Sequence, residues 1–223
     1  MRMRKKKNLE KRLLSCENNL LTPRSDDLNS VTAIDKKEYF DFKEMFGNDN
    51  PVELEIGCGK GGFICKLAKQ NPDKNFIAVE KIGNVIVNGC ERAEKENIKN
   101  IIFLKCGAEY LPKYFPENSI DNIYLNFSCP YPKKRYENHR LTNGRFLNLY
   151  KMFLKKDGMI FQKTDNMHFF EYSIAEFSQN GYALQNVSLD LHNSDFENNI
   201  MTEYEKRFSD LGQPIYRLEA YLK

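Results

Sequence analysis

A single α/β domain on a mostly parallel sheet of seven strands, with helices on both faces and an antiparallel hairpin at its C-terminal end, is the fold this sequence predicts. Three observations predict it. From residue 52 onward, short apolar runs alternate with helical patterns, as they do when parallel strands are joined by crossover helices. A glycine-rich turn, Gly57-Cys58-Gly59-Lys60-Gly61-Gly62, follows the first of these runs and opens a helix. The last two apolar runs are joined by a segment with no long helical pattern, which favours an antiparallel pair at one sheet edge.

Taken in order, residues 13–50 are polar and weakly patterned, and the turn Gly47-Asn48-Asp49-Asn50-Pro51 closes them, so they read as a lead-in with one short helix. Val52-Glu53-Leu54-Glu55-Ile56 is a strand, and Phe63, Ile64, Leu67 and Ala68 mark the helix after the glycine turn. Strands follow at 76–79, 101–104 and 120–127, separated by helices near 83–96 and 108–114. A proline-rich loop at 128–133 leads to a helix near 142–154 and then to a strand at 159–163. A helix near 167–179, a strand near 182–190 and a last strand at 215–222 complete the pattern, giving the boundaries 1–50 for the arm and lead-in and 51–223 for the domain.

With 223 residues, 41% of them apolar, the chain can bury one sizeable core. No apolar run is long enough to span a bilayer and no N-terminal apolar stretch resembles a leader, so a cytoplasmic protein without membrane contact is expected. Six cysteines (Cys16, Cys58, Cys65, Cys90, Cys106, Cys129) show neither a C-x-x-C pair nor clustering with histidine, so reduced thiols and no metal site are expected. His139, His168 and His192 read as surface or packing residues. Net charge is +3, yet the first twelve residues carry Arg2, Arg4, Lys5, Lys6, Lys7, Lys11 and Arg12 against Glu10, leaving the remainder at −3. A basic arm on a nearly neutral body suits contact with a polyanion, because each cation placed beside a phosphate releases counterions.

The glycine turn has two readings. Small residues at a strand-to-helix turn let the backbone approach a ligand, and a helix N-terminus favours an anion. The literal G-x-G-x-x-G pattern fits a nicotinamide dehydrogenase, with Glu80 at the end of the next strand holding ribose hydroxyls. A methyl donor fits better: no length remains for a separate substrate domain, and Glu55, two residues before Gly57, places a carboxylate where it can offset a sulfonium or an ammonium.

At Leu54-Glu55-Ile56-Gly57-Cys58-Gly59-Lys60-Gly61, at Tyr124-Leu125-Asn126-Phe127-Ser128-Cys129-Pro130-Tyr131-Pro132-Lys133-Lys134-Arg135, at Lys163-Thr164-Asp165-Asn166 and at Met201-Thr202-Glu203-Tyr204-Glu205, the chain resembles the bacterial tRNA (guanine-N7-)-methyltransferase family. The resemblance implies a Rossmann-like methyltransferase fold, S-adenosylmethionine as cofactor and tRNA as partner, with a variable-loop guanine as target. It implies that Glu55, Gly57, Gly59, Gly61, Glu80 and Gly107 line the donor site, and that Lys133, Asp165, Thr202, Glu203, Tyr204 and Glu205 contact tRNA. Thr202 and Glu205, three apart, also fit a helix cap. The same segment is therefore open to a structural reading.

Three positions depart from the family pattern. Cys129 stands where the family has a catalytic aspartate, Gly107 where an aspartate meets the donor's adenine, and Tyr136 where a histidine follows the basic run. Guanine N7 exposes a lone pair and carries no proton, so transfer to it needs no general base and rests mainly on positioning. The expectation is a methyltransferase slowed by these changes. A tRNA-binding protein without turnover, and a methyltransferase of another RNA base, remain as alternatives, and the oligomeric state, monomer or homodimer, is left unassigned.

Overall fold

The computed structural model describes residues 6–23 and 33–223, so Arg2, Arg4 and Lys5 of the basic arm lie outside the described residues. The helices are α1 (Leu9–Ser15), α2 (Phe42–Phe46), α3 (Gly62–Gln70), α4 (Gly83–Lys95), α5 (Leu111–Tyr114), α6 (Gly144–Tyr150), α7 (Met167–Gln179) and α8 (Glu203–Ser209). The strands are β1 (Leu20–Leu21), β2 (Val52–Ile56), β3 (Asn75–Val79), β4 (Ile101–Leu104), β5 (Ile120–Asn126), β6 (Leu154–Thr164), β7 (Tyr182–Ser188) and β8 (Tyr216–Leu222). They form one sheet in the order β1-β4-β3-β2-β5-β6-β8-β7. Pairs from β1 to β6 are parallel, whereas β8 runs antiparallel to both β6 and β7. Strand order reverses between β2 and β5, and in open sheets of this kind ligands bind outside the carboxyl ends of the strands at that reversal.

Side-chain alternation explains why both faces are covered. Val52, Leu54 and Ile56 point into one core with Ile77, Val79, Ile123, Leu125 and Ile160, closed by Phe146, Leu147 and Tyr150 of α6 and Phe170 and Phe177 of α7. The opposite face packs Phe76, Ala78 and Phe103 against Phe63 and Ile64 of α3 and Ile86 and Cys90 of α4. Glu53 and Glu55, between the apolar residues of β2, are buried on the second face. A buried carboxylate must be hydrogen-bonded or shift toward its neutral form. Glu53 is fully engaged, accepting from Lys74 Nζ at 2.8 Å, Asn122 Nδ2 at 2.9 Å and Tyr124 Oη at 2.7 Å.

Among the described residues the sheet holds eight strands rather than the expected seven. Leu20–Leu21 joins beside β4, where Phe103 N donates to Asn19 O at 2.7 Å and Lys105 N to Leu21 O at 2.9 Å. Helix α6 ends at Tyr150 instead of 154, because Phe153 and Leu154 turn into the core and β6 starts there. Leu154 pairs with Ile120 and Met159 with Asn122, so residues 155–158 bulge out of the ladder. Glycine is required in that bulge: a Cβ on Gly158 would stand 2.6 Å from Asp121 O. Between the proline-rich loop and α6, residues 134–139 form a 3-10 turn.

The described part of the basic arm is docked rather than free. Lys6 N and Nζ donate to Asn84 and Asn88 at 3.0 and 2.6 Å, and Arg12 pairs with Glu91 of α4 through two bonds of 2.6 and 2.7 Å. Lys7 and Lys11 stay exposed.

Candidate active site

The carboxyl ends of β2, β3, β4, β5 and β6 share one edge of the sheet, and most of the residues singled out in the sequence meet there. After β2, Gly57 N and Cys58 N both donate to Val79 O, at 2.8 and 3.0 Å, which folds the glycine turn against the end of β3. Gly57, Gly59 and Gly61 have φ of +80°, +58° and +70°, a region closed to most side chains. A Cβ on Gly61 would meet the Gly89 backbone of α4 at 3.0 Å, whereas nothing lies within 4 Å of one on Gly59. The turn is therefore tight on its inner side and open at Gly59.

Glu80 closes the second strand of the site. Its carboxylate accepts from Ile82 N at 2.8 Å. Burial pushes this carboxyl above its usual value, against that backbone bond. A carboxylate has about four acceptor positions, so capacity remains for ligand hydroxyls.

Glu55 is the least satisfied group of the site. Oε1 accepts from Asn126 Nδ2 at 3.0 Å, while Oε2 is buried with no hydrogen-bond partner among the described residues. Burial raises its carboxyl to about 7, opposed by Asn126 and by the nearby Lys163 charge. An orphaned buried oxygen beside an open glycine cradle fits a cationic ligand, and Glu80 at the next strand end fits its hydroxyls. These residues fit S-adenosylmethionine.

After β5, the loop that carries the second motif is strongly bent: Phe127 and Tyr131 take φ of +51° and +42°. Arg140, which the sequence reading passed over, pins it by donating from Nε to Pro130 O at 2.8 Å and from Nη2 to Tyr131 O at 3.0 Å, with its guanidinium 4.2 Å from the Tyr172 ring. Cys129 is exposed, and it is the one cysteine of the six that is. The Ser128 hydroxyl is buried without a partner among the described residues. Lys133, Lys134, Arg135 and Tyr136 form an exposed run, with Arg135 stacked on the Tyr136 ring at 4.8 Å.

The segment 202–205 is both a cap and a bridge. Thr202 Oγ1 accepts from Glu205 N at 2.8 Å and Glu205 Oε2 accepts from Thr202 N at 3.3 Å, the reciprocal capping box that the sequence allowed. Glu205 is buried and also accepts from Lys163 Nζ at 2.7 Å and Asn199 Nδ2 at 2.5 Å. His192 Nε2 lies 3.3 Å from Glu205 Oε1, so this histidine packs, as expected, against a buried partner. Glu203 pairs with Arg92 at 2.9 Å and lies 3.6 Å from Lys60 of the glycine turn. Tyr204, largely exposed, stacks on Phe127 at 6.4 Å. Helix α8 thus reaches the glycine turn, the β5 loop and β6 through three consecutive residues.

Asp165 follows β6 at the same edge, between Thr164 and the α7 cap Asn166, whose Oδ1 accepts from Phe169 N at 2.8 Å. Gly107 lies three residues beyond the end of β4, with Glu109 folded back over it. Buried Lys163 and Asn126 were quoted in the motifs but given no role. The signal was a polar residue closing a strand at its carboxyl end: Asn126 ends β5 and Lys163 stands one residue before the end of β6. A separate groove of about 520 Å³ opens beside Gly62, Lys66, Lys69, Arg92 and Glu203, away from Glu55.

A family model described as "Putative methyltransferase" matches residues 49–218. A tRNA (guanine-N(7)-)-methyltransferase of Geobacillus sp. (strain WCH70) is 51% identical over 179 residues, covering 80% of this chain and 81% of its own. The enzymes of that name from Bacillus licheniformis and Listeria monocytogenes serotype 4b are 47% and 49% identical, covering 89% and 87% of this chain and 95% and 93% of theirs. Among solved structures, a 16S rRNA methyltransferase superposes with a TM-score of 0.61 at 15% identity, over 84% of this chain and 95% of its own. A precorrin-6y C5,15-methyltransferase from Geobacter metallireducens does so with 0.56 at 13% identity, over 92% and 94%. These distant likenesses carry the Rossmann-like methyltransferase fold alone. At about half identity over most of both chains, the chain belongs to the tRNA (guanine-N7-)-methyltransferase family.

Proposed function

We propose that the chain transfers the methyl group of S-adenosylmethionine to N7 of a guanine in the variable loop of tRNA. The observation that carries this reading is the buried Glu55 carboxylate beside the open glycine turn, one oxygen of which has no partner among the described residues, in a chain about half identical to enzymes of that name. When bound, S-adenosylmethionine supplies a methyl group on a cationic sulfur, which guanine N7 takes with an exposed lone pair, so no proton has to be removed.

The residues divide the remaining work. Glu55 faces the positive charge of the donor, held in orientation by Asn126. Gly57, Gly59 and Gly61 turn the backbone so that the donor lies against it, and Glu80 accepts from its hydroxyls. Arg140 fixes the bend of the loop that carries Cys129. Lys133 meets tRNA phosphate, while Asp165 and the 202–205 segment border the guanine. Glu205 is committed to Lys163 and Asn199, so its part is to hold α8 in place, with Thr202 half-buried in the helix cap and Glu203 and Tyr204 carrying the exposed surface.

The test is to incubate the protein with unmodified tRNA transcript and methyl-labelled S-adenosylmethionine, digest the RNA and separate the nucleosides. The expected product is labelled N7-methylguanosine. Label in another nucleoside, or none despite tRNA binding, would overturn the reading.

A further inference from the structure

Gly107 has φ −81° and ψ 148°, an extended conformation open to any residue, so backbone strain does not call for glycine there. Space does. A Cβ on Gly107 would stand 2.6 Å from Glu109 Oε2, 2.7 Å from its Cδ and 3.0 Å from Oε1. The Glu109 carboxylate therefore lies over the Gly107 backbone, in the volume that any side chain at 107 would enter. It is half-buried, and among the described residues it has no hydrogen-bond or ion-pair partner. Half-buried in the 3-10 turn Ala108–Tyr110 that follows β4, a carboxylate without a protein partner is available to a ligand.

The position of this strand end matters. Glu55 and the glycine turn belong to β2, Glu80 ends β3, and Gly107 follows β4, three neighbouring parallel strands in register. Neighbouring strands stand about 4.8 Å apart, so a ligand running from β2 to β4 spans about 10 Å, the scale of a nucleoside with its substituent. With its cationic end at Glu55 and its ribose at Glu80, the base reaches β4.

We propose that Glu109 is the residue that recognises the donor's adenine, its carboxylate accepting from the exocyclic amine, and that Gly107 is small to make room for it. This rests on the methyl-donor reading above. A carboxylate only accepts hydrogen bonds, so the site selects a base with an amine over one with a carbonyl at the same place. A site built to pair with a donor group rejects the analogue lacking it, because its own buried group is left unpaired.

The experiment is calorimetric titration of the full chain with S-adenosylhomocysteine and with S-inosylhomocysteine, in which a carbonyl replaces the amine. The native protein is expected to prefer the adenine form by roughly ten- to a hundredfold, the range for a hydrogen bond to a charged group. Glu109→Ala is expected to bring the two within about threefold. Glu109→Gln, whose amide can donate, is expected to turn the preference toward the inosine form. Gly107→Asp combined with Glu109→Ala is expected to restore the preference for adenine, since the carboxylate then projects from 107. Glu109→Ala and Glu109→Gln both keeping the native preference would overturn the proposal and leave the donor reading standing. Binding of neither compound by the native protein would overturn both.

Discussion

Lys163 of β6 donates from Nζ to Glu205 Oε2 of α8 at 2.7 Å, an ion pair buried at both ends and 42 residues apart in the chain. The same ammonium donates to Asn199 Oδ1 at 3.1 Å and Ile200 O at 2.9 Å, so one side chain organises the whole approach to α8. Burial lowers the Lys163 pKa, and the Glu205 charge opposes that shift. Through this pair the 202–205 segment is fixed to the carboxyl edge of the sheet.

Removing one partner leaves the other charge buried and alone. Lys163→Met is expected to lower unfolding stability by about 3–5 kcal/mol, and Lys163→Met with Glu205→Met to recover most of it. Urea denaturation of both variants checks this. A loss below about 1 kcal/mol for the single variant would contradict the burial of the pair.

The Glu55 carboxyl, raised by burial to about 7 from 4.5, makes stability depend on pH. A folded value above the unfolded one means that its contribution is fully present below about 4.5 and is lost as pH rises through about 7. Glu55→Gln abolishes this titration. Between pH 4.5 and 8 the variant is expected to gain on the order of 3 kcal/mol relative to the native chain. In the native chain, affinity for S-adenosylmethionine is expected to rise about tenfold from pH 6 to pH 8 as the carboxylate ionises. Denaturation and calorimetry across that range check both; curves parallel for the two proteins would refute the assignment.

How much of this could be read from sequence depended on whether the cause was local. Helix α7 matches its expected span of 167–179, because Asn166 caps its start and Phe169, Phe170 and Phe177 repeat at helical spacing. Val52–Ile56 and Ile101–Leu104 were legible as apolar runs, and the glycine turn as chemistry. The strand Leu20–Leu21 was not: two residues carry no periodicity, and the bonds that define it come from Phe103 and Lys105. Nor was the start of β6, where Lys155-Lys156-Asp157-Gly158 reads as the end of a helix until Asp121 is seen to pair with Lys155 at 2.7 Å. In the site, residue types were readable but partners were not. Glu55 meets Asn126 across 71 residues, and the cover that Glu109 places over Gly107 depends on a side-chain fold-back that spacing does not reveal.

Lys133 is exposed at the head of the 134–139 turn, and a cation there contributes mainly by releasing counterions. Lys133→Ala is expected to weaken tRNA binding and to reduce the slope of log affinity against log salt by about 1. Filter binding over a salt series measures it, and an unchanged slope would exclude a phosphate contact.

Cys129 is exposed in the loop after β5, and a neutral thiol gives little help to a guanine that becomes cationic on methylation. Cys129→Asp is expected to raise kcat by roughly a hundredfold, the lower end of what single charge-stabilising groups supply, with donor affinity unchanged. Single-turnover kinetics decide it. An equal or lower rate would show that positioning alone sets the chemistry.

The central claim, transfer to guanine N7, is tested most directly by replacing the acceptor atom. A tRNA transcript in which the guanines are 7-deazaguanine keeps its Watson–Crick edges but has carbon where N7 stood. Labelled methyl is expected in the ordinary transcript and none in the 7-deaza transcript, with similar affinity for both. Equal incorporation into the two would contradict the claim and move the acceptor to another atom.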